Sequence, residues 1–341
     1  MSPSSSRRNF LERCSALLVT SPVIRARAAL DPAFEPPYVK LHRTGELRRR
    51  AEALFGLMES CRLCPRECGA DRLAGEEGFC GASDRLRIAS FHAHHGEEQP
   101  LVGSGGSGTV FFSHCSLRCV FCINWQISQR GDGQNRGVEE LAHMMLRLQE
   151  TGCHNVNIVT PTHYSAHVVQ ALDLAAGKGL RLPLVYNTCG WERLEILERL
   201  DGVVDIYLPD FKYADGAMAD RYSSGAETYP ELTRRALLEM HRQVGVARPA
   251  ADGLMYRGLM IRHLVMPNDV GGTRQVVEWI AEHLPKDTYV NLMSQYRPEH
   301  QALDYPKIAR RLTREEYEEA VGWARAAGLT HLDVQGWRWP S

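Results

Sequence analysis

The cysteines carry the first chemical signal. Of ten in the 341-residue chain, Cys61, Cys64, Cys68 and Cys80 fall in one segment and Cys115, Cys119 and Cys122 in another. Clusters with short repeated spacings read as metal ligation more readily than as disulfides. The second group has the spacing C-x3-C-x2-C. Three thiolates on one short loop can converge on one iron–sulfur cluster, and because a fully protein-held [4Fe-4S] cluster needs four, one iron stays open to a reactant. Buried thiols or a zinc site are the alternatives, although structural zinc would require a fourth ligand from elsewhere. The first group, C-x2-C-x3-C-x11-C, supplies four thiolates at once. That set suits tetrahedral zinc or an auxiliary iron–sulfur cluster, with disulfides or unliganded thiols as the third reading. His92, His94 and His95 lie nearby, as substitute ligands or as surface residues.

The elements that must position these groups are legible in the periodicity. Apolar runs of strand length occupy 109–114, 156–161, 183–188, 205–209, 259–267 and 289–295. Helical patterns fall near 138–151, 166–177, 191–200, 230–245, 271–284 and 313–327. Such alternation predicts parallel strands joined by crossover helices. Six β/α units suit an open barrel or a doubly wound sheet, and periodicity does not separate the two. In either, ligands bind at the carboxyl ends of the strands. The strand ends here are polar: His114 to Cys122, Thr160 to His163, Asn187 to Cys189, Asp210 to Lys212, Met266 to Asn268 and Ser294 to Tyr296. Gly103 to Gly108 is a glycine-rich loop, for which a turn or a close backbone approach is a better reading than phosphate binding.

Composition narrows the function classes. The 40 basic and 41 acidic residues give a formal charge of −1, so no broad basic surface for nucleic acid is expected. No run of about 18 apolar residues is present, which excludes a membrane-spanning helix. The 44% hydrophobic and 24% charged content is that of a globular chain.

The C-x3-C-x2-C loop, with aromatic Phe121 before the last cysteine and its place after the first strand of a β/α series, resembles the radical S-adenosylmethionine (SAM) signature. That resemblance covers about residues 105–297. Leu63 to Arg66, Gly96 to Glu98, Gly105 to Thr109, Thr160 to Tyr164 and Ser294 to Pro298 further resemble iron–sulfur proteins homologous to pyruvate formate-lyase activating enzyme, over roughly 45–335. The resemblance implies a partial (β/α)6 TIM-like barrel and a [4Fe-4S] cluster on Cys115, Cys119 and Cys122. It implies that SAM chelates the open iron and is cleaved, after transfer of one electron, to methionine and a 5′-deoxyadenosyl radical that abstracts hydrogen. A low-potential electron donor such as flavodoxin or ferredoxin is the implied partner.

Asp210-x-Lys212-x-x-Asp215 resembles a motif of glycyl-radical activating enzymes. It would place Asp210 and Lys212 at the SAM pocket, where a carboxylate and an ammonium can grip an amino-acid zwitterion; the alternative is a surface ion pair. Where related enzymes carry Gly-Gly-Glu, this chain has Thr160-Pro161-Thr162-His163, so Thr160 or Thr162 would serve SAM without a charge. By resemblance Asn187 and Thr188 are read as ribose or carboxylate contacts, with strand caps as the alternative, and Arg262 as a residue that reaches SAM or pairs with an acid. His163 is a substrate contact, a proton donor or a core histidine; Cys189 is a hydrogen-atom donor or a small buried residue, and Cys153 a weaker instance of the same. Gln295, Tyr296 and Arg297 are placed on the substrate side.

The expected organisation is a twin-arginine-like signal or disordered terminus (1–30), a helical and Cys-rich extension (31–104), a radical SAM core (105–300) and a C-terminal helical extension (301–341). Arg7-Arg8-Asn9-Phe10-Leu11 and an Ala26-Arg27-Ala28 cleavage pattern support export to a bacterial periplasm, whereas SAM and low-potential electrons are cytoplasmic supplies. The expected function is SAM cleavage for hydrogen abstraction, with a glycine of a glycyl-radical enzyme as the leading substrate. A small-molecule or peptide substrate is the runner-up. An iron–sulfur electron-transfer or assembly protein with a degenerate SAM pocket is the reading from another class.

Overall fold

The computed structural model describes residues 34–335; the export-signal reading of residues 1–30 lies outside them. Among the described residues, nine strands form one sheet. They are β1 (Leu86–His94), β2 (Ser107–Phe112), β3 (Gln134–Arg136), β4 (Val156–Val159), β5 (Leu184–Thr188), β6 (Ile206–Pro209), β7 (Gly258–Leu264), β8 (Tyr289–Met293) and β9 (Leu332–Val334). Their spatial order is β3-β1-β2-β4-β5-β6-β7-β8-β9. From β2 onward each neighbour is parallel, whereas β1 runs antiparallel to both β2 and β3. The parallel strands follow chain order without reversal. A doubly wound sheet reverses at a switch point, so this is the open-barrel alternative, with β3 and β9 as unclosed edges.

Strand alternation divides the core in two. Leu184, Tyr186, Tyr207, Leu259, Ile261, Val290 and Leu292 face the helices and join the large core, which gathers residues from Tyr38 to Leu329. Their neighbours Val185, Ile206, Leu208, Met260 and Tyr289 point to the other side and form a second cluster with Leu101, Ala247 and Met255. That second cluster is the barrel interior, and Leu101 enters it from the short helix Gln99–Val102. The helices bury one face each. In Val138–Glu150, Leu141, Ala142, Met144, Met145 and Leu148 are buried, the spacing of an amphipathic helix. Helix Glu46–Gly56 buries Leu47, Ala51 and Leu54 in the same large core.

The glycine-rich loop is a close backbone approach. A Cβ on Gly105 would lie 1.9 Å from the Gly152 carbonyl oxygen, and one on Gly108 would lie 2.5 Å from that of Asn155. Strands β1, β3 and β9 and the helices Pro37–Arg43 and Gly216–Tyr222 add to the expected elements. In β1 the period-2 signal is short: Leu86 and Ile88 are buried, and a register shift between Ile88 and Ser90 breaks the alternation.

Candidate active site at the carboxyl ends of the strands

Cys115, Cys119 and Cys122 follow β2 on a loop with left-handed backbone at His114 (φ 73°) and Arg118 (φ 51°). Non-glycine residues hold that conformation only where the surroundings enforce it. The Val120 N–H donates to the Tyr222 carbonyl (2.9 Å), Gln301 N–H to the Val120 carbonyl (2.9 Å), and Gln129 Nε2 to the Cys119 carbonyl (2.8 Å). Each sulfur has a polar neighbour. Leu117 N–H lies 3.4 Å from Cys115 Sγ, Ser223 Oγ 3.1 Å from Cys119 Sγ and Ser128 Oγ 3.2 Å from Cys122 Sγ. Burial pushes the Cys119 thiol up to about 12, against the pull of the Lys212 ammonium, and the thiols of Cys115 and Cys122 add to the rise.

Beneath this loop the barrel interior turns from apolar to charged. Asp210, at the end of β6, receives Lys212 Nζ (2.6 Å) and Arg262 Nε (2.9 Å). Burial opposes the Asp210 charge, but Arg262 and Lys212 outweigh it and hold the carboxyl below its ordinary value. Arg262 Nη2 also donates to Asn187 Oδ1 (2.6 Å), and its Nη1 stands 3.8 Å from Glu97 Oε1. Glu97 Oε2 accepts from Asn157 (2.7 Å) and Asn187 (3.0 Å). Next to it, Glu98 accepts from Asn291 Nδ2 (2.9 Å), and burial lifts its carboxyl above the ordinary range. The Tyr229 hydroxyl ties the strand ends together. It accepts from Lys212 N–H (2.9 Å) and lies within hydrogen-bond distance of the carbonyls of Cys189 (2.8 Å) and Asp210 (2.9 Å).

The structure therefore brings together Asn187, Asp210, Lys212 and Arg262, with the Lys212 charge in electrostatic reach of Cys119. Thr162 and Thr188 are turned elsewhere. Both hydroxyls donate to Glu192 Oε1, at 2.7 Å from Thr162, on the helix side of the sheet near Tyr186 and Tyr207. Thr160 is partly exposed with a left-handed backbone (φ 58°), its N–H donating to the Asn187 carbonyl. His163 is a core histidine: Nε2 meets the Ser113 carbonyl at 2.8 Å, and burial depresses it to about 3. Asp215 caps the helix Gly216–Tyr222 by accepting from Met218 N–H (3.0 Å). Cys189 is buried with its thiol pushed up by burial and by neighbouring Cys115. Glu97 and Glu98 entered the sequence analysis only within the Gly96 to Glu98 motif, with no site role, and Glu192 had none. Paired acids before a short apolar stretch look like an ordinary solvated helix start, and only tertiary folding carries Glu97 and Glu98 inward.

The four upstream cysteines share one neighbourhood. Cys61, Cys64 and Cys80 are buried and Cys68 is exposed. Burial pushes Cys64 up to about 12 and Cys80 up to about 11, with the other thiols of the set adding to each. The rings of His92 and His94 meet each other and Phe111 on the sheet. Among the described residues, no three His, Cys, Asp or Glu side chains are drawn closely enough to hold a single ion.

The sequence pattern of the Radical SAM superfamily matches residues 109–235, which span β2, the three-cysteine loop and the strand ends through Asp210. The chain belongs to this superfamily. Membership brings SAM-cleaving radical chemistry and implies an iron–sulfur cluster. Two uncharacterised proteins of Methanocaldococcus jannaschii are similar over most of their length. MJ0674 is 32% identical over 290 residues, covering 82% of this chain and 78% of its own. MJ0808 is 22% identical over 283 residues, covering 75% and 78%. Among solved structures, Streptococcus suis SuiB bound to S-adenosylmethionine aligns with TM-score 0.44 and 14% identity over 65% of this chain, which spans about half (48%) of that one. TYW1 with a lysine-pyruvate adduct bound aligns with TM-score 0.41 and 11% identity, over 66% of this chain and 76% of that one. Among the described residues no helix is long and apolar enough to cross a membrane.

Proposed function

We propose that this radical SAM protein is an enzyme in which Cys115, Cys119 and Cys122 hold a [4Fe-4S] cluster and the Asp210, Lys212 and Arg262 side chains receive SAM. The observation that carries the proposal is the buried charged cluster at the strand ends: Lys212 Nζ donates to Asp210 Oδ2 at 2.6 Å and Arg262 Nε to Asp210 Oδ1 at 2.9 Å. The donor set fits the cluster. There are three thiols on one loop, each with a polar group near its sulfur and with a cation close by, and hydrogen bonds to cluster sulfurs tune such centres. When bound, the cluster supplies the electron that splits SAM into methionine and a 5′-deoxyadenosyl radical.

The protein's own residues then bind and orient. Asp210 offers a carboxylate to the SAM ammonium, and Arg262 and Lys212 offer cations to its carboxylate. Asn187 and Glu97 fix the Arg262 guanidinium from below. Phe121 packs between the rings of Tyr213 and Tyr296, and these three buried rings keep water from one side of the loop. A charged set buried at the ends of the strands is costly to desolvate, and a zwitterionic ligand gives it a use that an electron carrier lacks, which favours the enzyme. The test is SAM retention by anaerobically reconstituted protein. The native chain retains SAM; a variant with Cys115, Cys119 and Cys122 all changed to Ala does not. Equal retention by the two would overturn the assignment.

For the substrate, the resemblance supports a glycine of a partner enzyme, with a low-potential donor such as ferredoxin or flavodoxin as reductant. Since Asp215 is a helix cap, that reading rests on Asp210 and Lys212 alone. A glycyl signal by electron spin resonance in a candidate partner would support it; its absence across candidates, with SAM still consumed, would direct the search to a small molecule or peptide.

A further inference from the structure

Arg72 is fully buried, and among the described residues it forms no ion pair with a carboxylate. Its Nε and Nη2 donate to the Ser83 carbonyl (3.0 and 2.7 Å), and its Nη1 donates to the His163 carbonyl (2.8 Å) and faces Cys61 Sγ at 3.8 Å. Carbonyl dipoles satisfy its hydrogens but not its charge, and an uncompensated buried charge is costly. Its guanidinium stands 5.7 Å over the Tyr164 ring, whose hydroxyl burial holds in its neutral form, and the thiols of Cys61 and Cys80 are the other ionisable acids near it.

The backbone turns the thiols of Cys61, Cys68 and Cys80 toward one another, and Cys64 lies within electrostatic reach of all three. Cys61 N–H donates to the Ala70 carbonyl (2.9 Å) and Gly69 N–H to the Cys61 carbonyl (3.2 Å), which folds Cys68 back beside Cys61. The turn closed by Gly81 N–H on the Gly78 carbonyl (2.8 Å) presents Cys80. Gly78 leaves the space open: a Cβ there would stand 3.2 Å from Cys68 Sγ and 3.7 Å from Cys80 Sγ.

We infer that Cys61, Cys64, Cys68 and Cys80 form a second metal centre, a tetrathiolate site for a thiophilic metal, with Arg72 as its buried counter-charge. Four thiolates around a divalent ion, or around an iron–sulfur cluster, keep a net negative charge that the guanidinium balances. Metal binding draws the sulfurs inward and releases their protons to solvent.

The centre braces the three-cysteine loop. Arg66, two residues after Cys64, donates Nε to the Ser116 carbonyl (2.9 Å) and Nη2 to the Ser223 carbonyl (3.0 Å), and Ser223 Oγ in turn reaches Cys119 Sγ. Arg66 is held over the rings of Phe79 (4.1 Å) and Trp191 (4.7 Å). On the other flank, a Cβ on Gly81 would lie 2.8 Å from His114 Nδ1, so the residue after Cys80 is in contact with the residue before Cys115.

The test does not depend on SAM chemistry. The full chain carrying Cys115→Ala, Cys119→Ala and Cys122→Ala is purified without oxygen and passed over a chelating column, and its metal and acid-labile sulfide are measured. About one zinc per chain without sulfide, or iron with matching sulfide, supports the centre, and the two results separate zinc from a cluster. Less than a tenth of an equivalent of either, in a chain whose circular dichroism matches the native one, overturns it. Adding Cys68→Ser, at the exposed ligand, is expected to lower retention at least tenfold. Arg72→Met is expected to lower it several-fold and Arg72→Lys to restore it; unchanged retention in Arg72→Met refutes the counter-charge role.

Discussion

Glu192 offers the most quantitative test of the described packing. Its carboxyl is 1% exposed, accepts from Thr162 and Thr188 at Oε1, and leaves Oε2 buried without a partner among the described residues. Burial, the largest effect, raises it from 4.5 to about 7 even though the hydrogen bonds from Thr188 and Thr162 pull it down. An acid raised on folding contributes its full stability below the unfolded value and loses it as pH rises through the folded value. Here the loss runs from about pH 4.5 to slightly above pH 7. At about 1.4 kcal/mol per pH unit, the difference amounts to about 3 kcal/mol. Glu192→Gln keeps an oxygen for both hydroxyls but cannot ionise. Its advantage over the native chain should therefore grow by about 3 kcal/mol between pH 5 and pH 8, a gap in Tm that opens by roughly 5 °C in a chain of this size. Thermal melts of both chains, with metal loading held equal, measure the gap. Infrared spectra supply the direct check: a protonated-carboxyl band that titrates near neutrality and is missing in the variant. A Tm gap that stays constant with pH, together with no such band, would refute the burial argument.

Three further perturbations probe the site and its support. Asp210→Asn strands Arg262 and Lys212 without their shared carboxylate, which should cost about 3–5 kcal/mol and reduce SAM retention at least tenfold; unchanged retention would remove Asp210 from the SAM site. Tyr229→Phe removes the hydroxyl that joins Lys212 to the ends of β5 and β6, an expected loss of about 1–3 kcal/mol in denaturant melts. Gly105→Ala places a Cβ 1.9 Å from the Gly152 carbonyl, and because backbone cannot turn aside as a side chain can, a loss of about 1–3 kcal/mol or more is expected.

The sequence made the parallel core legible because strands buried on both faces read as continuous apolar runs. β5 and β8 are buried at every residue. Periodicity did not make the open barrel legible, since that choice resides in strand order; the resemblance carried by the three-cysteine loop implied it. Cys115, Cys119 and Cys122 stood out because their spacing is local and short. Asn187, Asp210, Lys212 and Arg262 were found from strand ends and do meet. The Thr162 hydroxyl donates to Glu192 on the helix side of the sheet, a partner the sequence does not reveal because it gives no sign of which side of a strand end a side chain takes. Glu97 and the buried Arg72 are long-range features, each paired with residues about 60 to 165 positions away. No local pattern encodes such partners.

The central claim is that this barrel cleaves SAM reductively at the three-cysteine loop. The most direct measurement is 5′-deoxyadenosine and methionine formation by anaerobically reconstituted, reduced protein given SAM, with Cys119→Ala alongside. The account predicts both products in equal amounts from the native chain and none above background from the variant. Product from both chains alike, or none from a native chain that carries its full iron and sulfide and retains SAM, would contradict it.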